Sequence, residues 1–119
     1  MNKLVENLEK MASEGKLLKR CENGLKGGVG KCAVYTDIIA HPDQRVSDSG
    51  KIVLECGATI GEHAHVDDWE EYTVLSGVVR SSDGYYYFPG ETMTCYKGES
   101  HFCANVFDGE SVLRFVKRK

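Results

Sequence analysis

The sequence predicts an all-β protein, a sandwich or barrel of about eight short strands with one helix in front of them. Three observations predict it. From Cys32 onward, runs rich in β-branched and aromatic residues (CAVYTDII, KIVLEC, EHAHV, EYTVLSGVVRS, YYYF, ETMTCY, HFCANVF and SVLRFV) alternate with turn signals. Asp83-Gly84, between VVRS and YYYF, marks a hairpin, because both residues tolerate positive φ. Helical spacing occurs before the strands begin and not between them, which excludes a βαβ fold.

The helix comes first. Over residues 3–14, Leu4, Val5, Leu8 and Met11 recur on one face, with Asn2 as the N-cap and Gly15 as the stop. Such a face packs on the body of its own domain or on a partner subunit. A connector rich in glycine follows (Gly24, Gly27, Gly28, Gly30). Residues 1–30 are therefore read as helix and connector, and residues 31–119 as the β barrel of a single domain. Between the strand runs lie His41-Pro42-Asp43-Gln44, Ser47-Asp48-Ser49-Gly50, Pro89-Gly90, Lys97-Gly98 and Asp108-Gly109. The stretch from Ala40 to Gly50 reads as the longest irregular segment, and its His41 as a surface residue.

A chain of 119 residues builds a core without metal or disulfide staples. The net charge is −3, and the one cationic cluster, Lys117-Arg118-Lys119, reads as a solvated tail, so no nucleic-acid partner is expected. The N-terminal residues carry no apolar signal region and no apolar run is long enough for a bilayer, so no membrane association is expected and the cytoplasm is the expected location. Cys21, Cys32, Cys56, Cys95 and Cys103 are odd in number and show no C-x-x-C spacing. They read as reduced thiols, mostly small core residues, and as neither a disulfide framework nor a thiolate zinc site.

The stretch GEHAHVDDWEEYTVLSG places His63 and His65 on one side of an extended chain, roughly 6.5–7 Å apart at Cα. They converge on one ion if that side is an interior; an isolated H-x-H is more often a solvent-facing pair. With its neighbours the stretch reads G-x5-H-x-H-x4-E-x6-G, formed by Gly57, His63, His65, Glu70 and Gly77. Further on, Gly90, Tyr96, Gly98, His101 and Asn105 read G-x5-Y-x-G-x2-H-x3-N. The two segments resemble the two sequence motifs of the cupin superfamily, over residues 51–116, in the pattern of a small bacterial single-domain cupin. Tyr96 stands where the second motif has proline, and no ligand position is lost.

The resemblance implies a double-stranded β-helix, a small jelly-roll barrel, holding one divalent transition metal ion per chain through His63, His65, Glu70 and His101. Three imidazoles and a carboxylate suit iron, manganese, nickel, cobalt, zinc or copper, and the absence of cysteine among them argues against a closed structural zinc site. Glu70 fits the spacing to Gly77, and a strand starting there sends Glu70, Tyr72 and Val74 to one face and Glu71, Thr73 and Leu75 to the other. Tyr72 is then the one candidate for a catalytic group beside the metal, with core packing as the equal alternative. Cys103 either lines a substrate pocket or fills it, and Asn105 satisfies backbone groups inside the barrel.

Cupins span many reactions, so the resemblance selects no substrate. Thiol dioxygenases of the family usually lack the glutamate, regulators need a helix-turn-helix domain, and seed-storage members have two domains. What remains is a small metallocupin acting on, or binding, a small polar metabolite, and the leading expectation is a metal-dependent enzyme of dioxygenase, isomerase, lyase or decarboxylase type for a keto-acid, carboxylate or sugar-derived compound. The alternatives are a non-catalytic module that binds a small ligand or metal, and a jelly roll with a vestigial site. The alternating Tyr85-Tyr86-Tyr87 leaves at most two rings facing outward, an aromatic patch that, with the resemblance, leads us to expect a homodimer.

Overall fold

A computed structural model describes residues 2–119. Helix α1 (Lys3–Ser13) is followed by ten strands: β1 (Leu17–Asn23), β2 (Lys31–Asp37), β3 (Val46–Leu54), β4 (Thr59–Ala64), β5 (Trp69–Ser76), β6 (Val79–Ser81), β7 (Tyr86–Tyr87), β8 (Thr92–Cys95), β9 (Ser100–Asn105) and β10 (Ser111–Arg118). They form two antiparallel sheets, one in the order β1-β2-β3-β10-β5-β8 and the other β4-β9-β6-β7. Two facing sheets made from strands that cross between them are the jelly roll the motifs implied.

Strand alternation makes the core. In β5 the inward residues Glu70, Tyr72 and Val74 are buried, while Glu71, Thr73 and Leu75 are more exposed. The main cluster between the sheets includes Ile52, Leu54, Ile60, Val74, Val79 and Leu113. Helix α1 covers the opposite face of the larger sheet, where Leu8 packs with Leu17, Tyr35, Val53 and Val112. Asn2 caps it by accepting from the Leu4 amide at 2.9 Å. Glu9 ties the helix down further, accepting from the Tyr35 hydroxyl and from Lys19 Nζ at 2.5 Å.

Three sequence expectations are corrected. Residues 17–23 are not connector but strand β1, paired with β2 along its whole length. The run LLKRCEN lacks a strand signature because it is an edge strand on which only Leu17 is buried. The stretch Ser47-Asp48-Ser49-Gly50 is not a turn but part of β3, paired with β10. Pairing with two neighbours overrides its local turn chemistry, and Gly50 is required there, since a Cβ would lie 2.0 Å from the Tyr35 carbonyl oxygen. The run EYTVLSGVVRS is two strands in different sheets. The chain breaks at Gly77, whose φ of +86° and closeness to Ser111 (2.1 Å from an added Cβ to Oγ) exclude a side chain.

Candidate metal centre

Four side chains from three strands and one strand end meet inside the barrel. His63 lies on β4, His65 just beyond its end, Glu70 at the start of β5 and His101 at the start of β9. Ile60 and His63 both point inward despite their odd spacing, because the β4–β9 register shifts between them, a bulge that re-aims the histidines. His63 and His101 are then direct cross-strand partners. Farther along, the Gly98 amide donates to the His65 carbonyl at 2.7 Å, which ties the loop before His101 to the end of β4. One ligand atom from each of the four residues lies within 4.8 Å of the others.

Outer contacts fix which ring nitrogens face inward. His63 Nδ1 lies 2.8 Å from the Gly61 carbonyl oxygen, and His65 Nδ1 lies 2.9 Å from Asp68 Oδ1. Both partners are acceptors, so each Nδ1 donates its proton outward and each Nε2 is the nitrogen turned to the interior. His65 Nε2 sits 3.1 Å from Glu70 Oε1, and His63 Nε2 sits 2.7 Å from His101 Nε2. Ligand atoms this close are held together either by protons on the Nε2 atoms or by a cation that replaces them. The donor set therefore fits a metal ion, and its mixed nitrogen and oxygen character fits a divalent transition metal.

The electrostatics agree. Burial, reinforced by the charges of the other two histidines, pushes His101 down to about 4, so at neutral pH it is an uncharged imidazole able to ligate. Its Nδ1 is a buried polar atom without a partner. Burial pushes Glu70 up, but the surrounding imidazoles, the Tyr72 hydroxyl and Lys117 outweigh it and hold the carboxyl below its ordinary value. Glu70 is thus an anion in the barrel interior.

Tyr72 donates its hydroxyl to Glu70 Oε1. Burial first, and then the Glu70 charge, raise its pKa well above the ordinary phenol value. It stays protonated at neutral pH, which makes it a hydrogen-bond donor and not a base. Beside His63, His101 and Tyr72 opens a cavity of about 110 Å³. Cys103 forms part of its wall, buried and packed into the core, with its thiol pushed up to about 12 by burial. Asn105 works as the sequence implied: its Nδ2 donates to the Leu54, Glu55 and Gly109 carbonyls, and its Oδ1 accepts from the Phe107 amide and the Ser111 hydroxyl. Exposed His41 accepts from the Asp43 amide, away from the centre. Glu71 also points elsewhere, to Arg118 at 2.6 Å.

Two contributors were not visible in the sequence. Asp68 occupies no position of either motif, and only the fold shows its carboxylate on His65. Glu99 is an exposed carboxylate lining the cavity; the H-x-H and G-x-x-H patterns carry no signal for it. No helix among the described residues is long and apolar enough to cross a membrane.

No protein-family model matches the sequence, and no curated protein matches it. Solved structures do. A predicted oxalate decarboxylase from Thermotoga maritima superposes with a TM-score of 0.76 at 18% identity, covering 87% of this chain and 94% of that one. A sugar phosphate isomerase of the cupin superfamily from Silicibacter pomeroyi gives 0.66 at 17% identity, over 89% and 73%. The cupin domain of an XRE-family transcriptional regulator from Enterobacter cloacae gives 0.61 at 17% identity, over 74% and 96%. With two crossed antiparallel sheets around a His/Glu cluster and these neighbours, the chain has the cupin fold.

Proposed function

We propose that this protein is a metal-dependent cupin acting on a small polar metabolite, a keto-acid, carboxylate or sugar-derived compound. One observation carries the reading: a buried set of three imidazoles and one carboxylate, aimed at a common point, borders a cavity lined by this chain's own residues. A divalent ion held by His63, His65, Glu70 and His101 supplies a Lewis acid at the cavity wall. With one anionic ligand the centre keeps a net positive charge, which favours a substrate with oxygen anions. The cavity of about 110 Å³ admits only a compact molecule. Tyr72 holds Glu70 in place, and its buried hydroxyl also lines the cavity. Neighbours named for oxalate and for a sugar phosphate are proteins of this fold whose substrates belong to the same oxygen-rich class.

A second reading, a non-catalytic module that binds the same kind of molecule, is favoured by the shortage of free bases. Tyr72 is protonated, Asp68 is held by His65, and Asp83 is held by Ser81, Tyr85 and Tyr87. That leaves exposed Glu99 for proton transfer. Incubating the metal-loaded protein with a panel of small keto-acids, hydroxy-acids and sugar phosphates separates the readings. Turnover that chelation abolishes supports the enzyme, and metal-dependent binding with unchanged compounds supports the module.

The chain is further proposed to act as a homodimer, with Tyr85, Tyr86 and Phe88 in the contact. All three are more than half exposed, at 71%, 55% and 52%, while Tyr87 turns inward to Asp83. Light scattering at tens of micromolar, on the order of routine assay concentrations and well above the dissociation range of stable interfaces, gives twice the chain mass if this holds and the chain mass if it does not.

A further inference from the structure

We propose that Asp68 is a positioning residue for the metal centre: it holds His65 with the proton on Nδ1, so that Nε2 is the nitrogen turned to the ion. The inference rests on the metal reading above and adds a residue that neither motif contains. Asp68 lies in the turn between β4 and β5, three residues after His65. Two other turn carboxylates each accept from a backbone amide nearby in the chain. Asp43 accepts from the Arg45 amide and Asp83 from the Tyr85 amide, both two residues on. Asp68 instead turns its Oδ1 onto the imidazole at 2.9 Å. An ionised carboxylate only accepts, so Nδ1 donates to Asp68, and Nε2, which faces Glu70, is the nitrogen left to exchange its proton for an ion.

The three imidazoles are held unequally. His63 leans on a backbone carbonyl, which is fixed by the chain. His101 Nδ1 has no partner. His65 is the imidazole anchored by a charged side chain, and its carbonyl is also held by the Gly98 amide at 2.7 Å. A carboxylate behind a ligating imidazole fixes the ring's orientation and raises its basicity, and losing such a partner typically lowers metal affinity about 10–100-fold.

The test uses zinc as the probe and three forms of the full chain: wild type, Asp68→Ala and Asp68→Asn. Zinc affinity by competition with a chelator should fall about 10–100-fold in Asp68→Ala, with the denaturant midpoint of the metal-free protein little changed. Asp68→Asn, which keeps an acceptor oxygen and loses the charge, should fall between the two. In the metal-free proteins at pH 8, nitrogen-15 shifts of the His65 ring should place a proton on Nδ1 in the wild type and move it in part to Nε2 in Asp68→Ala. Equal zinc affinities, or the same proton position with and without the carboxylate, would overturn the role of Asp68. Wild type that takes up no zinc would overturn the metal reading, and the ring shifts alone would then decide whether Asp68 positions His65.

Discussion

His63 and His101 are direct cross-strand partners on β4 and β9, and their Nε2 atoms lie 2.7 Å apart. At that distance the rings either share a proton on one Nε2 or turn both lone pairs to one cation. The pairing of β4 with β9 brings the rings together whether or not an ion is bound. Binding should stabilise the folded state by mass action, about 2.7 kcal/mol at a free-ion concentration of 100 times the dissociation constant. The unfolding temperature of the wild type should therefore rise with added cobalt or zinc, and that of His101→Ala should not.

The adjacent acids provide a sharper contrast. Glu70 is 2% exposed with an oxygen 3.1 Å from His65 Nε2, and Glu71 faces outward to Arg118. Glu70→Gln should weaken metal binding by at least about tenfold, since loss of a direct ligand exceeds the usual loss from an outer one. Glu71→Gln should leave affinity unchanged and cost at most about 1 kcal/mol, the scale of a partly exposed ion pair. Titrations giving equal losses would mean that the parity assigned to β5 is wrong.

The four clustered residues were legible in the sequence because the two spaced motifs, through their resemblance to those of cupins, select them. His63, His65, Glu70 and His101 need only alternate faces and the right turn lengths to meet. Asp68 and the Gly61 carbonyl were not legible, because their roles depend on the local path of a turn and a bulge, which spacing does not encode. Strand β1 was hidden for another reason: an edge strand shows water Lys19, Arg20 and Glu22, so its alternation carries little hydrophobic signal. The stretch Ser47-Asp48-Ser49-Gly50 misled because its partners, β2 and β10, are distant in the chain.

Tyr72→Phe removes the hydroxyl that donates to buried Glu70. A hydrogen bond to a charged group contributes about 1.5–3 kcal/mol, so the metal-free variant should unfold at lower denaturant by an amount in that range. Metal affinity should fall as well, because Glu70 loses a contact that fixes its orientation. A denaturation curve matching wild type would show that the hydroxyl does not act on Glu70.

The thiols should divide by burial. Cys21 and Cys56 are exposed, and Cys32, Cys95 and Cys103 are buried. Burial, then nearby negative charge, pushes Cys95 up to about 12, and Cys103 behaves alike. Native protein at pH 8 should take up two alkyl groups quickly and the remaining three only on unfolding, counted by mass spectrometry. The sign for stability follows: folded thiols keep their protons where unfolded ones, near 8.5, lose them. Their contribution is complete below about pH 8.5 and is lost as pH rises toward 12. Alkaline denaturation should accordingly begin earlier in the wild type than in Cys95→Ser at matched starting stability.

The central claim is that this barrel holds a metal through three histidines and a glutamate. Elemental analysis of protein produced with ample iron, manganese, cobalt, nickel, copper and zinc tests it most directly, run beside His63→Ala and His101→Ala. The wild type should carry close to one divalent transition ion per chain and both variants should lose most of it, each still folded on its own hydrophobic core. Wild-type protein without metal, or variants that retain as much as the wild type, would contradict it.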